Sequence, residues 1–239
     1  CGGENGNGMM TPRWRTFLGI LLLLGGGPAW GQNQTLQGQK HGPWKVKYEG
    51  SSTLRYEGTF EQGVPVGTFT HYHPNGVKRA VMIFRGRTQV CYVREYAENN
   101  VLIAEGKYSA PGVKDSTWRV YDLNGKLLNL ETYAGGALNG LYQTFYPNGK
   151  VVETGSMEAD AKTGTWVRFT ETGTKLRSAD YQNDVPDGLW IEYDEDGRMA
   201  VRGEYHHGLR EGKWLEFADG KAVKGTWYHK GRITKEVEY

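Results

Sequence analysis

The chain is predicted to be all-β: an elongated repeat array of about eight β-hairpin units behind an N-terminal signal peptide. Three observations predict this. One pattern recurs about every 24 residues, aromatic residues fall into columns in phase with it, and an Asn/Asp-Gly turn signal separates the columns. Self-similarity at a fixed period marks a repeat architecture rather than a mixed globular domain.

The units open at Gly42, Gly67, Cys91, Ser116, Gly140, Gly164, Gly188 and Gly212, spaced 24 or 25 residues apart. Two residues on stand Trp44, Phe69, Val93, Trp118, Tyr142, Trp166, Trp190 and Trp214. Seven of these eight are aromatic in a chain that is 13% aromatic, so the column is not a product of composition. A second column holds Tyr48, Tyr72, Tyr96, Tyr121, Phe145, Phe169, Tyr193 and Phe217. A third holds Phe60, Phe84, Tyr108, Tyr133, Met157, Tyr181, Tyr205 and Trp227.

Between the second and third columns lie turn pairs such as Asn75-Gly76, Asn124-Gly125, Asn148-Gly149 and Asp196-Gly197. Such pairs supply positive φ at little steric cost and close hairpins. Strand-like runs flank them, as in Trp190-Ile191-Glu192-Tyr193, so each unit reads as a hairpin. A looser, Gly- and Pro-containing connection is expected between units. After residue 40 no sustained 3.6-residue apolar period occurs, and almost no helix is expected there. The first two aromatic columns stand three residues apart, which on a flat strand means opposite faces. Either a bulge turns one column round, or both faces carry aromatic rows. The closing Thr234–Tyr239 segment reads as the first strand of a ninth unit, and its charges suit a sheet edge.

The strings Gly188-Leu189-Trp190-Ile191-Glu192-Tyr193, Asp196-Gly197, Gly203-Glu204-Tyr205 and Gly212-Lys213-Trp214 resemble the MORN-repeat variant, a family grouped with YwqK-type antitoxin proteins. The resemblance covers roughly residues 40 to 239 and implies a single-sheet meander or solenoid. It implies scaffolding, protein binding or lipid contact rather than catalysis. The third unit departs most, with Cys91, Val93 and Asn100 where Gly, Trp and Gly are expected; Gly50-Ser51-Ser52-Thr53 is a smaller insertion in the first.

Four segments are expected: an upstream extension over 1–8, a signal peptide over 9–31, a short linker over 32–41, and the array over 42–239. Arg13 and Arg15, the apolar run Phe17–Leu24 and the small residues Ala29 and Gly31 give the order of a secretory signal. The run is too short for a span of about 20 residues. Cleavage near Gly31 predicts an exported protein, periplasmic or secreted, with no integral membrane span; an uncleaved anchor is the other reading. An antitoxin acting in the cytoplasm would need no such signal.

The chain has 29 Lys and Arg against 27 Asp and Glu. With Arg13, Arg15 and Glu4 removed with the first 31 residues, 27 stand against 26, interspersed in sign. Nucleic-acid binders show a basic face, so that class is excluded, and no run of four basic residues suggests an anionic lipid surface.

No catalytic residue, cofactor or metal is expected. His71 and His73 lack the third and fourth ligands that zinc needs, and read as solvent-facing; His206 and His207 should diverge in a connecting loop. Glu192 and Glu216 stand in equivalent positions of neighbouring units, which repeat symmetry explains without a glycosidase mechanism. Cys91 reads as a small packing residue. Binding residues, if the aromatic column has a function beyond stacking, are Trp118, Tyr142, Trp166, Trp190 and Trp214. The expected function is a non-enzymatic protein-binding or scaffolding surface in the cell envelope, with an unidentified envelope or extracellular protein as partner. Carbohydrate or cell-wall binding through exposed rings, and a YwqK-type antitoxin role, are the alternatives.

Overall fold

The computed structural model describes residues 31–239. The extension over 1–8 and the signal segment up to Trp30 lie outside the described residues. Eighteen antiparallel strands follow one another, and among the described residues there is no helix.

A short β1 (Gln34–Leu36) precedes eight hairpins. These are β2 (Gln39–Lys47) with β3 (Leu54–Glu61), β4 (Val64–Tyr72) with β5 (Lys78–Phe84), β6 (Cys91–Tyr96) with β7 (Leu102–Ala110), and β8 (Val113–Tyr121) with β9 (Leu127–Ala134). The array continues with β10 (Ala137–Phe145) and β11 (Val151–Glu158), β12 (Ala161–Phe169) and β13 (Lys175–Gln182). It ends with β14 (Val185–Tyr193) and β15 (Met199–His206), β16 (Leu209–Ala218) and β17 (Lys221–His229), and then β18 (Arg232–Glu238).

Each strand pairs antiparallel with its chain neighbours, so the described residues form one open meandering sheet. The hairpins coincide with the eight sequence units, and β18 is the ninth unit's first strand. The segment 32–41, expected as a linker, holds β1 and the start of β2, joined by a turn at Gln37-Gly38. Trp44 explains why: its Nε1–H donates to the carbonyl of Gln34 at 3.1 Å, so β1 serves the first unit as a preceding strand serves later ones.

Both kinds of turn are tighter or differently built than expected. Connections between units, the 85–90 segment excepted, are two-residue turns, as at Gln62-Gly63, Asn183-Asp184 and His207-Gly208, where both residues take positive φ. The prolines that suggested looseness, Pro65 and Pro186, lie inside β4 and β14. Turns within units, such as Pro147-Asn148-Gly149, use three residues: Gly149 N–H returns to the Tyr146 carbonyl at 2.8 Å, and only the glycine is left-handed. That is a turn closed by a glycine bulge, the usual three-residue hairpin solution.

Seven of the eight unit openers have positive φ, including Ser116 at 59°. Six of them, all but Gly42, do so in two alternating ways. Glu105 pairs with Arg119 and Lys107 with Asp115, so Ser116, Thr117 and Trp118 stand opposite Gly106 alone. The same three-against-one bulge sets residues 67–69 against Gly58, 164–166 against Gly155, and 212–214 against Gly203. Openers of this kind have φ between 59° and 67°. At Gly140 and Gly188 the bulge falls one residue earlier, against Thr132 and Asp180, and φ is 116° and 115°. The true structural repeat is therefore two hairpins.

The faces follow from that alternation. In the first kind the ring lies flat on the bare backbone of the opposing glycine, where a Cβ would overlap ring atoms of Phe69, Trp118, Trp166 and Trp214. Those four rings are buried, at 4%, 0%, 2% and 4% exposure. The indole Nε1–H groups of Trp118, Trp166 and Trp214 donate to Lys107, Ser156 and Glu204 carbonyls, each at 3.1 Å. In the second kind Tyr142 pairs directly with Glu131, and Trp190 with Ala179, so on the preceding strand neither ring has a glycine to lie on, and both stay half-buried.

The first and third columns interleave on one face. Trp44, Phe60, Phe69 and Phe84 touch in sequence at centroid distances of 5.9, 5.0 and 5.5 Å. Trp190, Tyr205, Trp214 and Tyr228 continue the pattern near the other end. The final member is Tyr228 rather than Trp227, because Gly212 pairs with Tyr228 as Gly188 pairs with Tyr205. The second column lies on the opposite face. There Tyr72 and Tyr121 hydroxyls donate to Glu57 and Glu105, each carboxylate standing one residue before a covered glycine. Both faces therefore carry aromatic rows, one with ring-on-ring contacts and the other tied to carboxylates at Tyr72 and Tyr121.

Candidate functional site

The ring-bearing face is interrupted at the third unit, whose sequence departs most from the pattern. Met82 occupies the position of a covered residue and Val93 that of the covering ring, and the two pair in regular register without a bulge. A longer loop over residues 85–90 joins β5 to β6, and Cys91 keeps ordinary extended φ. Glycine is needed only where the bulge forces a left-handed opener, so the unbulged strand accepts Cys91.

In register, Phe84 pairs with Cys91 and Cys91 with Tyr108, so a small residue and no ring stands between them. The result is a cleft of about 900 Å³ between Phe84 and Tyr108. Ala80, Met82 and Cys91 line it, with Pro65 and Pro111 at its rim and His71, Arg79 and Glu95 as polar groups. Mostly apolar lining with a few convergent polar groups is the usual character of a binding site.

Its titratable groups are tuned by burial. The His71 imidazole is held below its ordinary value first by burial, then by Arg79 and Arg55, so it is neutral near pH 7. Burial, then Glu95, pushes the Tyr108 hydroxyl up to about 12; Tyr108 lies 3.4 Å from Glu95 as a donor. Burial also raises the Cys91 thiol, which is 2% exposed. A protonated, enclosed thiol is a poor nucleophile.

The expected binding residues separate into two groups. Trp118, Trp166 and Trp214 are buried, and each has a cation above its ring: Lys114 at 4.5 Å, Lys162 at 3.9 Å and Arg210 at 4.2 Å. Tyr142 and Trp190 keep accessible ring surface; the Trp190 indole donates to Glu192 at 2.9 Å. None of the five lines the cleft.

The histidine expectations need correction. His71 and His73 are half-buried rather than solvent-facing; His73 Nε2 lies 2.8 Å from the Tyr96 carbonyl, while His71 packs beside Tyr56. His206 and His207 converge, with ring centroids 4.2 Å apart, because His207 is left-handed at φ 48° and swings its side chain round. Glu192 and Glu216 each pair with Val201, one on either side of β15.

Over the described residues, fold and site define an array of antiparallel hairpins without helix, in which the third unit opens a cleft. The model of the MORN repeat variant family matches residues 114–134, 138–159 and 186–207. Each match begins two residues before an opener, at Ser116, Gly140 and Gly188, and covers one hairpin save the first residue of its first strand. The chain carries MORN-variant repeats. No curated protein matches it. Among the described residues, no helix is long and apolar enough to cross a membrane.

Proposed function

We propose that this is an exported, non-enzymatic repeat protein that presents its ring-bearing face to a protein partner in the cell envelope, with the third-unit cleft as anchor. The observation that carries the reading is the cleft itself. It lies where the aromatic row breaks, and local departures from an otherwise consistent pattern mark functional positions. An apolar recess flanked by Phe84 and Tyr108 suits an apolar side chain on a partner, with Arg79 and Glu95 placed to satisfy polar groups around it. Export rests on the basic, apolar and small-residue order of the N-terminus. The absence of catalysis is supported by the enclosed Cys91 thiol and by carboxylates that pair with rings and cations rather than with one another.

Affinity capture from envelope extracts, repeated with an Ala80→Arg variant, tests this. Ala80 lines the cleft opposite His71 and Glu95, and a long cation there fills it. A partner captured by the parent chain and lost by the folded variant is the expected result. Equal capture by both would remove the cleft from the reading.

Glycan binding is the second reading, favoured only by the accessible rings of Tyr142 and Trp190. It requires a change in tryptophan emission on adding glycans, abolished in Trp190→Ala and retained in Trp166→Ala if that variant folds.

A further inference from the structure

We propose that Asp187, His206 and His207 form a binding site for a zinc-like divalent transition metal at the edge of the sheet. Three ligand atoms converge there. His206 Nδ1 is 3.5 Å from Asp187 Oδ1, and His207 Nδ1 is 3.2 Å from Asp187 Oδ2. All three ligand atoms lie within 4.8 Å of one another, the only such group of three among the described residues. Around tetrahedral zinc with bonds of 2.0–2.1 Å, neighbouring ligand atoms sit about 3.3–3.4 Å apart. The two separations, one to each Asp187 oxygen, bracket that value.

The fold builds this convergence in two steps. Asp187 is the first of the three bulged residues set against Asp180, and the Asp180 carboxylate is itself occupied by Leu189 N–H and Thr165 hydroxyl. On the adjoining strand, His206 ends β15 and His207 begins the two-residue turn with Gly208. Adjacent residues of an extended strand point to opposite faces; left-handed φ at His207 removes that constraint. Gly208 N–H then donates to the Pro186 carbonyl at 2.8 Å, fixing the turn beside Asp187.

The neighbouring unit shows what the site requires. There Glu211 faces His229 Nδ1 at 2.9 Å, but Lys230 follows where a second imidazole would stand, and its N–H occupies the other Glu211 oxygen. That unit has two ligands and the proposed site has three. Two neutral imidazoles with one carboxylate suit zinc, nickel or copper rather than calcium or magnesium, which take oxygen ligands. His206 and His207 side chains are 67% and 75% exposed while Asp187 is 18% exposed. The carboxylate is thus held from within, and the remaining coordination position opens to water or to a donor from another molecule.

The test is titration of the tag-free full chain with zinc chloride by calorimetry, with histidine ring signals followed by NMR. Saturable binding of one equivalent is expected, with the His206 and His207 signals moving together. Asp187→Asn and the double variant His206→Gln/His207→Gln should each weaken binding more than tenfold, with circular dichroism unchanged. His71→Gln/His73→Gln should leave it intact. No saturable binding at millimolar zinc, or binding that the Asp187 and His206/His207 variants leave unaltered, would overturn the proposal.

Discussion

The indole of Trp118 lies flat on Gly106 of the preceding strand, where even a methyl group would overlap its ring carbons. The ring loses all exposure, and its N–H satisfies the next carbonyl, Lys107. This contact recurs at Phe69 on Gly58, Trp166 on Gly155 and Trp214 on Gly203. It lets a single sheet bury large side chains without a second layer, since each buried aromatic withdraws on the order of 150–250 Å² from water.

The two bulge geometries should respond differently to substitution. Gly164 has φ 63° and open space at its Cβ, and the equivalent Ser116 already tolerates 59°. Gly164→Ser should therefore cost only about 1 kcal/mol, the ordinary penalty for a left-handed residue with a side chain. Gly188 has φ 115°, and its Cβ would sit 2.9 Å from that of Asp180. Gly188→Ser should cost about 3 kcal/mol or more, backbone strain adding to overlap. Urea denaturation of the two variants measures the difference.

The cations over the buried rings should stabilise them. Lys162 Nζ is 3.9 Å from the Trp166 centroid and 3.0 Å from Glu153. Lys162→Met should lower stability by about 1 kcal/mol, whereas Lys162→Arg should retain most of it. Denaturation midpoints decide, and a red shift in tryptophan emission should accompany the methionine variant.

Stability should fall steeply in alkali. Burial first, and a neighbouring carboxylate second, push the Tyr72 and Tyr108 hydroxyls up to about 12 and raise Tyr133 as well. An unfolded tyrosine ionises near 10, so between about 10 and 12 the folded state holds more protons than the unfolded one. The stabilisation is complete below pH 10 and lost as pH rises towards 12. Ultraviolet titration of tyrosinate should show these side chains ionising only as the sheet unfolds.

The hairpin period was legible because it is local: a turn pair, an opener and an aromatic recur along the chain whatever lies across the sheet. The two-hairpin repeat was not read, although Gly58, Gly106, Gly155 and Gly203 stand 48 or 49 residues apart in plain sight. Their role belongs to the ring on the next strand, and a cross-strand contact leaves no mark on its own strand's alternation. The same reason hid the faces of the first two columns and put Trp227 where Tyr228 belongs, since one shorter turn shifts the register of β17. Val93 is visible in the sequence as a departure and Met82 is not; only pairing them across β5 and β6 reveals that losing the glycine and losing the ring are one event. His206 and His207, expected to diverge in a connecting loop, converge because the connection is a two-residue turn with a left-handed His207, a geometry the residue types alone do not fix.

A double-mutant cycle on Gly106→Ala and Trp118→Val tests the ring-on-glycine account most directly. Gly106→Ala alone should cost about 2 kcal/mol through overpacking, and far less when Trp118 is already valine, as Val93 is beside Met82 in the third unit. A coupling energy of at least about 1 kcal/mol is expected; costs that add within about 0.5 kcal/mol would contradict the account.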